Sequence, residues 1–446
     1  MKRFLIFIVG VLFFATDIAA QKTKNEILDN LELARGVYRF YPTEFKPQTP
    51  APKGYKPFYI SHYGRHGSRY IEKESEITIV SEVFNKAAAA GAFTEYGREF
   101  YARWQAMEAI CRGRAGMLTE VGVEQLRQIA NRMYHTYPEI FKGHRNIRSL
   151  ATYVPRVLLS MNSFTNEMVR LNPKLRFEIG TGLPYQAYLN PYCYDHNREL
   201  GLRVDKHRWP HAEWVASWRE FFYKNIDPMV TLRKLFTEEF AASLPKKDEV
   251  TMSLYRNATS LFGTPASHLS LMDMYSAEEQ YLWWRVINLR YYIERGNSGL
   301  EDGFLSDIND RLIAEIIKEA DKALLSEEPT ADLRFGHDGV IIGVLNAMGI
   351  GGWAERFGSY EEVEERFRDF DVPMGSTLMF VFYRNKGGDV LVKALLNEEE
   401  ITLPLQSDKA PYYGWADVRK HWVEQLCNSC LYDYKDGVLT LKTGKN

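Results

Sequence analysis

Surplus positive charge, abundant cysteine and long apolar runs are what this sequence of 446 residues lacks. Lys and Arg total 56 against 58 Asp and Glu, a formal net charge of −2. A protein built around nucleic acid needs a basic excess to neutralise phosphate backbones, so no nucleic-acid partner is expected; a local basic pocket stays open. The cysteines are Cys111, Cys193, Cys427 and Cys430. Only Cys427 and Cys430 have Cys-x-x-Cys spacing, and no second such pair or histidine cluster completes a zinc site. A short local bridge or two free thiols is expected there, and spacing does not pair Cys111 with Cys193. Beyond the start of the chain no segment approaches the length of a membrane-spanning helix. Internal repeats and low-complexity tracts are absent as well.

What is present is the composition of a folded globular protein, 45% apolar and 26% charged, in a chain longer than one simple core usually holds. Lys2 and Arg3 precede a nearly unbroken apolar run from Phe4 to Ala15, and Ile18, Ala19 and Ala20 offer cleavage chemistry before Gln21. This three-part pattern predicts a signal segment over 1–20, cut near Ala20-Gln21, and a secreted or periplasmic mature chain. The run is too short to cross a bilayer comfortably, and no cysteine follows the cut to take a lipid anchor.

Apolar periodicity divides the mature chain. Phe58 to Ser61 reads as a buried strand running into Gly64-Arg65-His66-Gly67, with helices predicted over 75–91 and 95–112. Thr119 is a candidate N-cap for a helix whose stripe is Leu126, Ile129, Ala130, Met133 and Tyr137. Ile147 to Val154 reads as a strand, with Pro155 placed in the first turn of the next helix. Residues 185–305 are rich in Trp, Tyr and Phe and read as successive helices, one opened by the capping box Ser276-Ala-Glu-Glu279. A helix over Asp307 to Leu325 then precedes the strand Leu333 to Gly336, which runs into His337-Asp338-Gly339. Thr377 to Tyr383 and Val390 to Leu396 form a hairpin about Asn385-Lys-Gly-Gly388. The expected architecture is α/β: a mixed sheet flanked by helices, built from 21–184 and 306–446, interrupted by a mostly helical domain over 185–305.

Two strand ends carry unusual residues, Arg65-His66-Gly67-Ser68-Arg69 and His337-Asp338, and Arg156 sits near the start of a helix that follows a strand. Strand ends in one α/β sheet share an edge, so these residues are expected to converge. Phosphate-ester hydrolysis needs a cage for a dianion whose transition-state charge spreads over three oxygens. Arg65, Arg69 and Arg156 offer fixed forks of donors with permanent charge and no metal. His66 is the candidate nucleophile, His337 a donor to the phosphoryl oxygens, and Asp338 the candidate proton donor and later base. Gly67 allows close backbone approach, and a backbone carbonyl is expected to fix the His66 tautomer. Asp332 and Glu328 are reserve carboxylates for the acid role. Lone histidines, arginine pairs and His-Asp dipeptides mean little alone, but chance produces the five-residue pattern in fewer than roughly 1% of such chains.

Arg65-His66-Gly67-Ser68-Arg69 resembles the signature of the histidine acid phosphatase branch of the histidine phosphatase superfamily, which includes phytases and multiple inositol polyphosphate phosphatases. Gly116-Met-Leu-Thr119-Glu-Val-Gly122 is similar to the leucine-threonine-x-x-glycine segment of that branch. Arg148-Ser149-Leu-Ala-Thr152 followed by Arg156, and the late His337-Asp338, resemble its remaining motifs. The resemblance implies a phosphoglycerate-mutase-like sheet with a helical domain beside it, no cofactor and a phosphohistidine intermediate. It assigns Arg65, Arg69, Arg156 and His337 to phosphate binding, His66 to attack and Asp338 to proton donation. The stretch Val390 to Pro404 is similar to the C-terminal hairpin of the inositol polyphosphate phosphatases, although those usually carry His-Ala-Glu where this chain has His-Asp-Gly, and Ile71 stands near a proline of many relatives. The expected partner is a small phosphate ester, with no membrane and with oligomeric state left open. Inositol polyphosphates such as phytate lead, a general or sugar-phosphate acid phosphatase follows, and a non-catalytic phosphate binder is the alternative of another class. Lys206, His207 and Arg208 are candidates to meet outer phosphates, with solvated charge the plainer expectation.

Overall fold

A computed structural model of the chain describes residues 22–192, 204–207, 209–210, 212–298, 300, 306–326, 328–429, 432–435 and 438–442. The expected signal segment, Cys193, Cys430 and Arg208 lie outside the described residues. Among the described residues, eight strands form one mixed sheet: β1 Lys56–Arg65, β2 Arg145–Ala151, β3 Leu175–Thr181, β4 Ala331–Gly336, β5 Thr377–Arg384, β6 Val390–Leu396, β7 Glu399–Ile401 and β8 Tyr413–Gly414. Their order is β3-β2-β4-β1-β5-β6-β7, with β8 on β6. β1, β2, β3 and β4 run parallel, and β5 and β6 add antiparallel strands on one side. The described helices of ten residues or more are α1 Glu74–Ala90, α2 Glu95–Cys111, α3 Glu120–Thr136, α4 Pro155–Leu171, α5 Val215–Asn225, α6 Lys247–Ser260, α7 Ala277–Arg295, α8 Asp310–Ser326, α9 Asp338–Ala347 and α10 Trp415–Asn428.

Side chains alternate across the sheet because the strand period is two. Ile60, Ala331, Leu333, Phe335 and Val381 bury on the face covered by α3 and α4, against Ile129, Met133, Met161 and Phe164. Tyr59, Tyr63, Phe380 and Phe382 turn to the other face, where α8, α10 and the helical layer close over them. Caps fix the helix starts. Thr94 Oγ1 accepts from Gly97 N–H at 2.8 Å, Thr119 Oγ1 accepts from Gly122 N–H at 3.2 Å, and Ser276 and Glu279 form the expected capping box.

The structure departs from the sequence expectation at several points. β2 stops at Ala151 rather than Val154, because Pro155 opens α4 and the residues before it turn out of the ladder. A 3₁₀ turn over Ser306–Asn309 precedes α8, which begins at Asp310. Helices α1 and α2, which precede the aromatic-rich segment in sequence, pack on α6 and on the short helix Pro228–Leu235. Arg148 and Arg334 carry a buried ionic cluster: Arg148 donates to Asp332 and to Glu315 at 2.7 Å, and Arg334 Nη2 donates to Glu315 at 2.6 Å.

His62 on β1 is fully buried between Phe164 and Phe335. Burial, with Arg334 nearby, pushes its pKa down to about 3. The unfolded chain takes up a proton on this residue near pH 6.5 that the folded chain refuses, so its contribution favours the native state above that pH and erodes below it. The erosion amounts to about 1.4 kcal/mol per pH unit over the window between the two pKa values. Urea unfolding at pH 6.5 and pH 4.5 should therefore show a smaller acid loss for His62→Leu than for the wild type; equal losses would remove His62 as a source of acid lability.

Candidate functional site

The parallel strands β2, β4 and β1 end side by side, with Arg65 opposite Gly336 and Ala151 opposite Phe335. Beyond the ladder, His66 N–H donates to Gly336 O at 3.1 Å and Thr152 N–H to Phe335 O at 3.2 Å. This register carries His66, His337 and the Pro155-Arg156 start of α4 to one sheet edge. The loop after β1 is tied down on two sides. Gly67 N–H donates to Ser160 Oγ at 3.2 Å, Ser68 N–H to Gln125 Oε1 at 2.9 Å, and Thr119 Oγ–H to Ser68 O at 3.0 Å. The loop and α3 come so close that a Cβ at Gly67 would lie 2.4 Å from Gly122 O, which accounts for both glycines.

His66 is 2% exposed, and its Nδ1 lies 2.9 Å from Gly67 O. A carbonyl only accepts, so Nδ1 carries the proton and Nε2 keeps its lone pair. Burial, then Arg156 and Arg65, hold the ring well below the usual histidine range, which favours its neutral form. The His337 ring stands edge-on to it, with centroids 5.6 Å apart. His337 Nε2 lies 3.5 Å from Thr152 Oγ1, and burial and Arg156 push its pKa down to about 3.

Arg65 is 1% exposed and fixed by backbone carbonyls: Nη1 donates to Val37 O at 2.6 Å and Val372 O at 3.0 Å, and Nη2 lies 3.2 Å from Asp338 Oδ2. Arg69 Nη1 donates to Tyr70 O at 3.0 Å, and its Nη2 lies 3.3 Å from Glu72 Oε2. Burial and the neighbouring Arg69 push Arg156 down to about 10, the signature of cations crowded together and away from water. Among the described residues, the Nε groups of Arg65, Arg69 and Arg156 have no hydrogen-bond partner. Such a cluster of guanidiniums can hold a dianion. Burial would raise the Asp338 carboxyl, but Arg65 and Arg295 outweigh it and hold it below the usual carboxylate range.

The structure thus brings together all six residues singled out in the sequence: Arg65, His66, Arg69, Arg156, His337 and Asp338. The reserve carboxylates do not join them. Asp332 lies at the start of β4, far from its carboxyl end, where Tyr59 O–H and Arg148 donate to it, and Glu328 precedes the strand and accepts from Asn146. Among the described residues no three His, Cys, Asp or Glu side chains converge as metal ligands.

Sequence reading missed Arg295. It ends α7, its guanidinium stacks 4.5 Å above the Tyr192 ring, and a Cβ at Gly339 would lie 2.3 Å from its Nη1. The glycine after His337-Asp338 therefore makes room for a fourth arginine beside Asp338. A cavity of about 240 Å³ opens next to this cluster, lined by Val37, Tyr38, Glu72, Arg256, Tyr291 and Arg295 among others. Lys206 and His207 are not among its lining residues.

No family model and no curated protein matches the sequence. Solved structures do match. A multiple inositol polyphosphate phosphatase of Bifidobacterium longum, in complex with inositol hexasulfate, has a TM-score of 0.72 at 15% identity, over 86% of this chain and 96% of that one. The same enzyme in complex with phosphate gives 0.73 at 14% identity, over 87% and 97%. The phytase from D. castellii gives 0.61 at 15% identity, over 89% and 85%. At these identities the likeness is one of architecture, and the chain has the fold of the multiple inositol polyphosphate phosphatases and phytases.

Proposed function

We propose that this protein is an exported phosphomonoesterase that passes a phosphoryl group from its substrate to His66 and then to water. The observation that carries this reading is His66 itself: a buried neutral imidazole, its Nδ1 pinned on Gly67 O, inside a cluster of Arg65, Arg69 and Arg156. Nε2 attacks phosphorus, the bond to the ester oxygen breaks, and the Asp338 carboxyl gives that oxygen its proton. Water then attacks the phosphohistidine, its proton goes to the Asp338 carboxylate, and the P–N bond breaks to restore neutral His66. The arginines and His337 hold the three equatorial oxygens, so charge is neutralised where it develops. A protein that only bound phosphate would need neither a free imidazole nitrogen nor a carboxyl beside it.

Inositol polyphosphates are the proposed substrate class, on the fold shared with such phosphatases and a cavity lining in which Arg35, Lys73, Arg256, Arg290 and Arg295 outnumber Glu72, Glu294 and Asp369. Export rests on the first twenty residues and is tested by the N-terminal sequence of protein recovered from outside the cytoplasm. Activity is tested on phytate, glucose 1-phosphate and nitrophenyl phosphate in excess EDTA. Turnover is expected to persist, because guanidiniums do the work of cations. Complete loss restored by magnesium or zinc would reject the mechanism, and the ranking of the three esters decides the substrate class.

A further inference from the structure

Glu72 is an acid at the mouth of an anion site. It follows the Arg65–Arg69 loop, lines the cavity, and points its Oε2 at Arg69 Nη2, 3.3 Å away, and at Arg256 Nη2, 3.6 Å away. Arg156 and Lys73 act on it as well. Neutralising Arg256 does not require it, since Glu76 already pairs with Arg256 at 2.6 Å and Arg256 also donates to Tyr38 Oη at 3.2 Å. What Glu72 does is occupy Nη2, one of the donors of Arg69. The Arg69 side chain is only 5% exposed, whereas that of Glu72 is 39% exposed, so the carboxylate is the partner free to turn into solvent.

We infer that Glu72 is a specificity-determining residue, an internal anion that competes with the substrate's phosphate groups for Arg69 and Arg256. The inference rests on the phosphatase reading and deepens it. A substrate with one phosphate need displace the carboxylate only from Arg69. A polyphosphorylated substrate also brings charge toward Arg256 and meets Glu72 twice. The same competition lowers the affinity for the phosphate product and favours its release.

The experiment uses the full chain with Glu72→Gln and Glu72→Ala, each checked for an unchanged thermal transition, and Glu72→Asp as the charge-preserving control. Calorimetric titration with inorganic phosphate should show about 5- to 10-fold tighter binding in the Gln and Ala variants, the size expected for removing one like charge a few ångströms away. The gain should shrink as salt is raised, and Glu72→Asp should stay near wild type. The fall in KM should be larger for phytate than for glucose 1-phosphate. Unchanged or weaker phosphate binding in both neutral variants would overturn the inference, because Glu72 would then be positioning Arg69 rather than opposing the substrate. A wild type that binds phosphate but hydrolyses no ester would overturn the phosphatase reading alone, since the titration still measures the competition.

Discussion

His66→Ala is expected to abolish turnover, with a loss on the order of 10⁴- to 10⁶-fold, the scale seen when a covalent nucleophile is removed. The imidazole cannot be replaced from nearby. His337 is the neighbouring ring, but it belongs to the other strand end, edge-on at a centroid separation of 5.6 Å. The guanidiniums stay in place without His66, because Arg65 is held by Val37 O and Val372 O and Arg69 by Tyr70 O. The variant should therefore still bind inorganic phosphate while failing to hydrolyse any ester, which separates chemistry from folding in one protein. In the wild type, rapid quench without acid should trap labelled phosphate on His66, since a phosphoramidate survives neutral and alkaline conditions better than acid. Retained activity in His66→Ala, or label that never appears on the protein, would end the covalent route.

Asp338→Asn should sort substrates by their leaving groups. An alkyl phosphate departs as a strongly basic oxygen and should lose about 10²- to 10⁴-fold, the usual worth of general acid help. Nitrophenyl phosphate leaves unaided and should lose far less, and its phosphohistidine should still form. The pH dependence has a defined sign. Arg65 and Arg295 hold Asp338 below the usual carboxylate range, so its acid form grows only as pH falls. Wild-type activity on an alkyl ester should decline as pH rises out of the acid range, and the Asn variant should lack that limb. Equal losses across leaving groups of very different acidity would remove Asp338 from the acid role. Asp332 could not then replace it, committed as it is to Tyr59 and Arg148 at the far end of β4.

Much of this site is legible in the amino-acid sequence, because its parts are local. A strand that runs into Arg65-His66-Gly67 declares itself through the short run Phe58 to Ser61 and a glycine, and the strand that leads into His337 through Leu333, Phe335 and Gly336. Pro155 marks a helix start because its ring suits the first turn and nothing later. These signals need only neighbouring residues. The clamp on Arg65 is not legible, since it is made by the carbonyls of Val37 and Val372, and a backbone acceptor has no residue type to betray it. Arg295 is hidden for a related reason. It lies far from His337 in sequence, and the only trace of it is the missing side chain at Gly339.

The sequence by itself determined the chemistry available: a free imidazole beside a glycine, three arginines, a His-Asp pair, and the alternating and helical periods that build a sheet with helices around it. Those features follow from bonding and sterics within a few residues. The tertiary structure alone decided which charges meet. It set Arg295 beside Asp338, turned Glu72 toward Arg69 and Arg256, and paired Asp332 with Arg148. Coulomb energies depend on distance and on how much water lies between charges, and neither quantity is written along the chain until packing has fixed it.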